Sequence, residues 1–264
     1  MEHQVTSLSG LFFSDRTKPE RRVIGYLPAC YPDDELYRMA LRKLYCSGIR
    51  IMEIGIPGGI GELEGGTISK ALSAVKQGGL DPETAIRTGT RLAADAGFLP
   101  IVMAFRTAVV EQVGLDFFVK IAAENGAKAL LVPDLYPDEM DYLVKSADHH
   151  QMPVVQFVAA TGTLPTSLPD TAFLYLQTAD MPTGGVFAPD ENLRGRIEAL
   201  HERFPRLPVA LGFGIRTPQQ VTSAFEIGAD LVVIGTAMVD ALNRSVDDLG
   251  SYADEIVAAA GGDK

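Results

Sequence analysis

The sequence predicts a single domain of the (β/α)8-barrel class, and three observations support this prediction. Eight short runs of apolar and β-branched residues alternate with stretches that have helical spacing. The runs are apolar throughout, as expected for parallel strands whose two faces are both covered. The length of 264 residues fits one barrel, and no linker or low-complexity tract divides the chain. We therefore assign residues 22–260 to the barrel and residues 1–21 to an N-terminal extension or helix.

The predicted strands follow one another at residues 23–29, 50–57, 99–105, 128–134, 153–159, 172–179, 208–214 and 231–237. Four helices between them have recognisable starts, at Asp33, Pro82, Asp138 and Pro218. A doubly wound parallel sheet is the alternative architecture. Its dinucleotide signature, GxGxxG after the first strand, is absent because Tyr26-Leu27-Pro28-Ala29 occupies that place. The barrel is therefore the preferred prediction.

Composition and charge exclude several classes of function. The formal net charge of −11 argues against nucleic acid and anionic membranes as partners. No apolar run approaches the roughly 20 residues of a membrane span, and the N-terminus lacks the basic and apolar regions of an export signal. The two cysteines, Cys30 and Cys46, lack metal-ligand spacing. We expect a reduced cytoplasmic protein that acts on a small molecule.

The stretch at residues 50–69, RIMEIGIPGGIGELEGGTIS, contains the first candidate functional residue. Glu53 lies within an apolar run, and burying a carboxylate is costly unless it is paired or used. Desolvation in a barrel interior favours the protonated form of a carboxyl group, which suits a general acid that later acts as a base. The alternative is a structural glutamate that a backbone group or an arginine satisfies.

Two glycine-containing strand ends predict a phosphate site. The seventh strand ends in Gly212-Phe213-Gly214-Ile215, and the eighth ends in Gly235-Thr236. Glycine lets a backbone approach an anion closely, and the following helix presents free N–H groups. Gly184 and Gly185, after the sixth strand, could supply further amides. The alternative is that these glycines only form tight turns.

Other polar residues at the same strand ends complete the candidate set. Glu62 and Glu64 lie in the loop after the second strand, and one of them is expected to be solvated surface. Asp134, at the end of the fourth strand, is a catalytic group or a structural hydrogen-bond acceptor. The histidines are not clustered, so we expect no metal and no cofactor.

Three side chains on other strands, Tyr26, Arg106 and Tyr175, could also face the pocket. Arg106 follows the third strand, where it could bind a substrate anion or Glu53. Pairing with Glu111 on the surface is the equally weighted alternative.

Five segments in order along the chain together resemble the alpha subunit of tryptophan synthase, over about residues 22–260. They are Glu53-Ile54-Gly55-Ile56-Pro57, Val132-Pro133-Asp134-Leu135, Thr183-Gly184, Gly212-Phe213-Gly214-Ile215 and Gly235-Thr236. The resemblance implies a barrel that binds a phosphorylated substrate without a cofactor. The implied reaction is the retro-aldol cleavage of indole-3-glycerol phosphate to indole and glyceraldehyde 3-phosphate.

The resemblance also implies roles for individual residues. Glu53 matches the general acid/base, and Glu64 matches the carboxylate that contacts the indole N–H. Tyr175 matches a tyrosine near the catalytic glutamate, and Tyr26 replaces an aromatic residue that packs on the ring. Asp134 and Thr183 lie in the matched segments and are expected to contact the substrate, as is Arg106 at the end of the third strand. The phosphate contacts map to Gly184, Gly214, Gly235 and Thr236.

The sequence departs from the family pattern at two informative places. Ile60 replaces the aspartate that signals to the beta subunit, and Arg106 stands where the family has an active-site tyrosine. A beta-type partner is implied by the family but disfavoured by Ile60. Two further functions stay open at this stage. One is a paralogous lyase or isomerase with another phosphorylated substrate, and the other is a non-catalytic partner of a beta-type subunit.

Overall fold

The computed structural model describes residues 22–59, 66–178, 187 and 189–261. Parallel strands β1 to β8 close into a barrel in sequential order, and β8 pairs with β1. The strands are β1 Arg22–Pro28, β2 Ile51–Gly55, β3 Leu99–Met103, β4 Ala129–Leu131, β5 Val154–Val158, β6 Thr171–Gln177, β7 Val209–Gly212 and β8 Leu231–Ile234. Each predicted run overlaps one of them. The predicted (β/α)8 barrel is therefore confirmed.

Helices cover the outer face of the barrel. They are α1 Asp34–Cys46, α2 Gly66–Gln77, α3 Pro82–Asp95, α4 Leu115–Glu124, α5 Pro137–Asp148, α6 Glu191–Arg203, α7 Pro218–Glu226, α8 Thr236–Arg244 and α9 Val246–Ala259, with a π-helical segment at Thr107–Val113. The four helices predicted from their starts are α1, α3, α5 and α7. None of the helices in the described ranges is long and apolar enough to cross a membrane.

Aspartate side chains fix the starts of several helices. Asp33 accepts a hydrogen bond from the Leu36 amide at 2.9 Å, and Asp81 accepts one from the Thr84 amide at 2.9 Å. Each bond satisfies an N–H group that the first helical turn leaves without a partner, which is worth about 1 kcal/mol. The exact position at which a helix leaves its loop is thus encoded locally.

Alternate residues of each strand point into the barrel, where their side chains form an apolar interior. This interior cluster is Ile24, Ile51, Ile101, Ala129, Leu131, Val155, Ala172, Phe173, Tyr175, Ala210, Leu231 and Val233. Side chains on the other faces of the strands pack against the helices. Because the interior is filled in this way, an open site can exist only beyond the last interior layer, at the carboxyl ends of the strands.

A histidine–aspartate pair lies at the opposite end of the barrel. His201 on α6 places Nε2 2.8 Å from Oδ2 of Asp230, and the same oxygen accepts a hydrogen bond from the Val209 amide at 2.8 Å. The hydrogen bond to Asp230 raises the pKa of His201 above its ordinary value, although partial burial opposes the shift. The folded state therefore favours protonated His201.

This pair predicts a pH-dependent contribution to stability. A raised folded-state pKa gives stabilisation that is fully present below the ordinary histidine pKa of about 6.5 and is lost as pH rises through the raised value. We expect His201→Gln to destabilise the protein more at pH 5.5 than at pH 8.5 in urea unfolding. His150→Gln, at an exposed position, is the matched control. Equal destabilisation at both pH values would contradict a charged His201.

Candidate active site

A pocket opens at the carboxyl ends of the strands. Its walls are interior positions at the ends of several strands, together with the turns after β7 and β8. The lining residues are Tyr26, Glu53, Ile68, Met103, Leu131, Pro133, Phe157, Tyr175, Phe213, Gly214, Ile215, Arg216, Val233, Gly235 and Thr236. Six predicted site residues thus line one pocket: Tyr26, Glu53, Tyr175, Gly214, Gly235 and Thr236.

Glu53 lies on β2 at the inner end of this pocket. It is 3% exposed, and its strand neighbours in register are Tyr26 on β1 and Ile101 on β3. It is two residues beyond the interior side chain of Ile51, so the strand alternation directs it inward. A carboxyl group that borders a cavity and has little access to water can exchange a proton with a bound molecule.

An apolar and aromatic wall faces the cavity. The ring centroids of Phe157, Tyr175 and Phe213 are 5.7 to 6.0 Å apart, and the Phe157 ring meets both others edge to face. Such a wall fits a flat apolar ring, which gains contact area without leaving polar groups unsatisfied. The sequence analysis selected Tyr175 but missed Phe157. Phe157 lies two residues after the interior residue Val155, a relation that becomes visible only in the closed barrel.

Two glycines make room for the tyrosines of the pocket. A Cβ atom at Gly212 would overlap the Tyr175 hydroxyl, and one at Gly55 would overlap the Tyr26 hydroxyl. Both glycines face inward on their strands, next to a phenol ring that lies across the neighbouring strand end. The absence of a side chain at these two positions therefore leaves the space in which the tyrosine rings line the pocket.

Gly212→Ala is expected to disturb the pocket and the fold together. The added methyl group would meet ring atoms Cε2 and Cζ of Tyr175 at 2.6 Å, so the buried phenol must move. Overpacking of this kind costs about 1–3 kcal/mol, and turnover should fall because the aromatic wall shifts.

Gly195→Ala is the matched control, since no atom lies within 4 Å of the new methyl group. On α6 it should stabilise by about 0.5–1 kcal/mol. Thermal unfolding of both variants tests the contrast, and a Gly212→Ala protein as stable as the wild type would refute the packing argument.

The turn after β7 has an unusual backbone at the predicted phosphate site. Phe213 and Gly214 both have positive φ angles, 72° and 83°. This conformation is costly for phenylalanine, and strain of about 1–3 kcal/mol is typical of functional sites. The Thr178 hydroxyl donates a hydrogen bond to the Phe213 carbonyl at 2.7 Å, which holds the turn against the end of β6.

The turn after β8 leads directly into α8. Gly235 is the N-cap residue and provides no side chain that could cap the helix, and Thr236 is the first helical residue. The first N–H groups of a helix lack partners within it and attract anions. Since Gly214, Gly235 and Thr236 line the same pocket, the arrangement could bind a phosphate group through backbone amides.

Arg106 lies outside this pocket. Its Nε and Nη2 atoms donate to Glu139 at distances of 2.6 to 2.9 Å, and its Nη1 donates to Glu111 at 3.0 Å. Its guanidinium carbon lies 4.8 Å from the ring centroid of Tyr136, and these bonds lower the pKa of Glu139. Arg106 is not among the described residues that line the pocket and has no contact with Glu53 there, and its role as a substrate contact stays a prediction. The surface pair with Glu111 is formed.

Asp134 also serves the structure at this rim. Its Oδ1 accepts a hydrogen bond from the Arg106 amide at 2.7 Å. Desolvation raises the pKa of its carboxyl group, and the hydrogen bond partly opposes this effect. Asp134 is not among the described residues that line the pocket, whereas its neighbour Pro133 is. The hydrogen-bond acceptor, one of its two predicted roles, is therefore observed.

Several sequence-derived candidates lie outside the residues that the structure describes. They are Ile60, Glu62, Glu64, Thr183, Gly184 and Gly185. Their predicted contributions to the site stay predictions.

The closed barrel, the buried glutamate at its carboxyl-end pocket and the glycine-containing turns after β7 and β8 define the layout of a (β/α)8-barrel enzyme for a small molecule. Comparison with known proteins makes this specific. The family model described as tryptophan synthase alpha chain matches residues 12–262. The chain therefore belongs to the tryptophan synthase alpha chain family, and the resemblance inferred from the motifs is confirmed.

Individual relatives agree with this assignment. The tryptophan synthase alpha chain of Mycobacterium marinum is 32% identical over 269 residues, which cover 97% of this chain and 96% of the relative. That of Mycobacterium tuberculosis is 29% identical over 265 residues, with coverages of 97% and 95%. A solved structure of M. tuberculosis tryptophan synthase in an aminoacrylate-bound form superposes with a TM-score of 0.81 at 26% identity, covering 96% of this chain and 99% of the other.

Proposed function

We propose that this protein is a carbon–carbon lyase that cleaves indole-3-glycerol phosphate to indole and glyceraldehyde 3-phosphate. Membership of the tryptophan synthase alpha chain family over nearly the whole chain is the observation that supports this most strongly. The two alternatives, another phosphorylated substrate and a non-catalytic partner protein, are not favoured by that membership.

Glu53 is the proposed general acid and base. Protonation of the indole ring carbon that bears the side chain makes the ring an electron acceptor. Removal of the proton from the adjacent hydroxyl group then forms the aldehyde, and the electron pair of the breaking carbon–carbon bond returns to the ring. One carboxyl group can give the first proton and accept the second, provided it borders the ligand and is shielded from water. The position of Glu53, 3% exposed and on the pocket wall, supports this role.

The indole ring is proposed to lie between the aromatic wall and Tyr26. Phe157, Tyr175 and Phe213 offer ring faces and edges, and Met103 and Leu131 add apolar surface. Glu64 is proposed to accept a hydrogen bond from the indole N–H, as in the family pattern. Thr183 is proposed as a further substrate contact.

The phosphate group is proposed to bind at the turns after β7 and β8. The left-handed turn at Gly214 and the uncapped start of α8 at Gly235 and Thr236 support this assignment. Gly184 is proposed to add a fourth contact from the loop after β6.

The direct test is an assay of the purified protein alone with indole-3-glycerol phosphate. We expect indole and glyceraldehyde 3-phosphate to form in equal amounts. If neither product forms while glycerol 3-phosphate still binds, the protein acts on another phosphorylated substrate. If neither product forms and no phosphate ester binds, the proposed function is wrong.

We further propose a beta-type subunit as a partner. Family membership supports this partner, and Ile60 in place of the signalling aspartate predicts weak activation by it. Size-exclusion chromatography with a beta-type protein from the same source would test the association, and indole release with and without that protein would test the activation.

Both cysteines are free thiols, which supports a reducing compartment such as the cytoplasm.

A further inference from the structure

Arg216 is a cationic side chain at the phosphate end of the pocket that the sequence analysis did not select. It follows Gly214 and Ile215 in the turn after β7 and lines the cavity together with Gly235 and Thr236. Among the pocket-lining residues that the structure describes, Glu53 and Arg216 are the two charged side chains. They come from different strand ends, so the cavity has an acidic inner part and a basic part beside the glycine turns.

The backbone of Arg216 is held from both sides. Its amide donates a hydrogen bond to Gln220 Oε1 at 2.8 Å, and its carbonyl accepts one from the Tyr252 hydroxyl at 2.9 Å. Gln220 belongs to the capping box of α7, and Tyr252 lies on α9. Two helices thus fix the point from which the side chain extends, which reduces the entropy lost when it binds a ligand.

The side chain is directed by an ion pair with α8. Arg216 Nη2 lies 2.5 Å from Asp240 Oδ2, and Asp240 Oδ1 accepts a hydrogen bond from the Thr67 hydroxyl at 3.0 Å. The arginine and aspartate side chains are 39% and 32% exposed, so water reaches both. Within the described residues, Nε and Nη1 of Arg216 have no hydrogen-bond partner. The guanidinium group is therefore oriented by one carboxylate and still has donors available.

We propose that Arg216 binds the phosphate group of the substrate and makes the pocket selective for the dianionic form. This inference rests on the proposed function, because it concerns the same site. Backbone amides are neutral, and one helix start supplies only about half a unit of positive charge. A phosphate monoester carries close to two negative charges above its second pKa, near 6, and this chain has a net charge of −11. Arg216, whose charge the paired Asp240 compensates in part, adds a cationic group at the required place, with a planar set of donors that matches phosphate oxygens.

Asp240 is a positioning residue in this arrangement. A lone arginine at a pocket rim would sample many rotamers, whereas the ion pair with Asp240 keeps the guanidinium group near the start of α8. Thr67 fixes Asp240 in turn from the first turn of α2. The group that binds the phosphate is thereby oriented before the ligand arrives.

The experiment compares Arg216→Gln and Arg216→Lys with a control, Arg244→Gln. Arg244 lies at the far end of α8 and pairs with Asp248 at 2.9 Å, so the control removes the same kind of charge from an ion pair outside the residues that line the pocket. Calorimetry measures the affinity for glycerol 3-phosphate and for indole between pH 5 and pH 8. Steady-state kinetics measure kcat and KM for indole-3-glycerol phosphate.

We expect Arg216→Gln to weaken glycerol 3-phosphate binding by at least about tenfold at pH 8, to raise KM similarly, and to leave indole affinity and kcat nearly unchanged. Arg216→Lys should recover part of the loss because it retains the charge. The affinity of the wild type for glycerol 3-phosphate should decrease from pH 8 to pH 5. The decrease should be smaller for Arg216→Gln, because this variant no longer distinguishes the dianion from the monoanion. A purely structural role through Asp240 would not change this pH dependence.

Two results would overturn the proposal. One is an Arg216→Gln protein that binds glycerol 3-phosphate like the wild type, and the other is an equal loss for glycerol 3-phosphate and indole. These results are distinct from failure of the proposed function. If the wild type binds glycerol 3-phosphate but does not cleave indole-3-glycerol phosphate, the lyase assignment fails while the binding comparison still decides the role of Arg216. If the wild type binds no phosphate ester, both proposals fail.

Discussion

Glu53→Gln is expected to abolish the release of indole while leaving the phosphate site intact. Glutamine has nearly the same shape as glutamate but can neither donate nor accept the catalytic proton. Loss of a general acid/base typically lowers kcat by about 10²- to 10⁴-fold. Because Glu53 is proposed to serve both proton transfers, we expect the decrease in kcat to reach or exceed the upper end of this range. Binding of glycerol 3-phosphate should change little, since Gly214, Gly235 and Thr236 are unaltered. Indole release and calorimetry measure the two effects separately.

The matched control is Glu198→Gln, the same chemical change at an exposed position on α6. It should have wild-type turnover. The Glu53→Gln protein should fold like the wild type, because the two side chains have nearly the same volume. A Glu53→Gln protein with near-normal kcat would show that another group transfers the proton, and Glu53 would then be a structural residue.

The fold could be predicted from the sequence because its signals are local and repeated. Every strand is a short apolar run, and aspartates or prolines stand where predicted helices begin, as at Asp33 and Pro82. Two helices that the sequence analysis did not identify also have capping side chains, Asp190 before α6 and Ser245 before α9, so these two starts were legible in the sequence and were overlooked. The helix α8 differs, because its N-cap residue is Gly235, which has no side chain that could cap the helix. The start of α8 therefore follows from the barrel topology rather than from a capping side chain.

The directions of side chains just beyond the strand ends are the part of the site that the sequence predicts least well. Strands buried on both faces are apolar throughout, so the sequence does not tell which alternate residues point inward. In β3 the interior residues are Leu99, Ile101 and Met103, and the strand ends there. Arg106 already has helical backbone angles as the N-cap residue of the π-helical segment, so strand alternation does not set the direction of its side chain. Arg106 meets Glu139 instead of the cavity. Pro133 and Asp134 likewise lie in a turn beyond the end of β4.

Other pocket residues were missed because their chemical type carries no signal. Phe157 resembles any core residue until the barrel shows that it lines the opening. Arg216 resembles a surface arginine, and only the turn at Gly214 brings it to the cavity. Apolar walls and rim cations depend on the closure of the whole sheet, which a local pattern does not encode.

Gly235→Asp is expected to weaken the binding of phosphate esters more than any other single change at the strand ends. A Cβ at this position would lie 3.2 Å from Ile68 Cδ1 and 3.4 Å from the Tyr26 ring, and the backbone has a negative φ of −110°. A side chain at position 235 therefore requires only small shifts of Ile68 and of the Tyr26 ring. The carboxylate of aspartate would then stand beside the start of α8, where the phosphate dianion is proposed to bind.

Charge rather than bulk should dominate this effect, and Gly235→Ala separates the two. At an effective dielectric constant of 20, two unit charges 4 Å apart repel by about 4 kcal/mol, so we expect Gly235→Asp to lower the affinity for glycerol 3-phosphate by at least 100-fold, or about 2.8 kcal/mol. Gly235→Ala should cost less than tenfold, and Gly195→Asp, exposed on α6, should have no effect. The helix start favours an acidic first turn, so Gly235→Asp should fold normally. If alanine and aspartate weakened binding equally, the glycine would serve only to leave space, and the anion would have to bind elsewhere in the pocket.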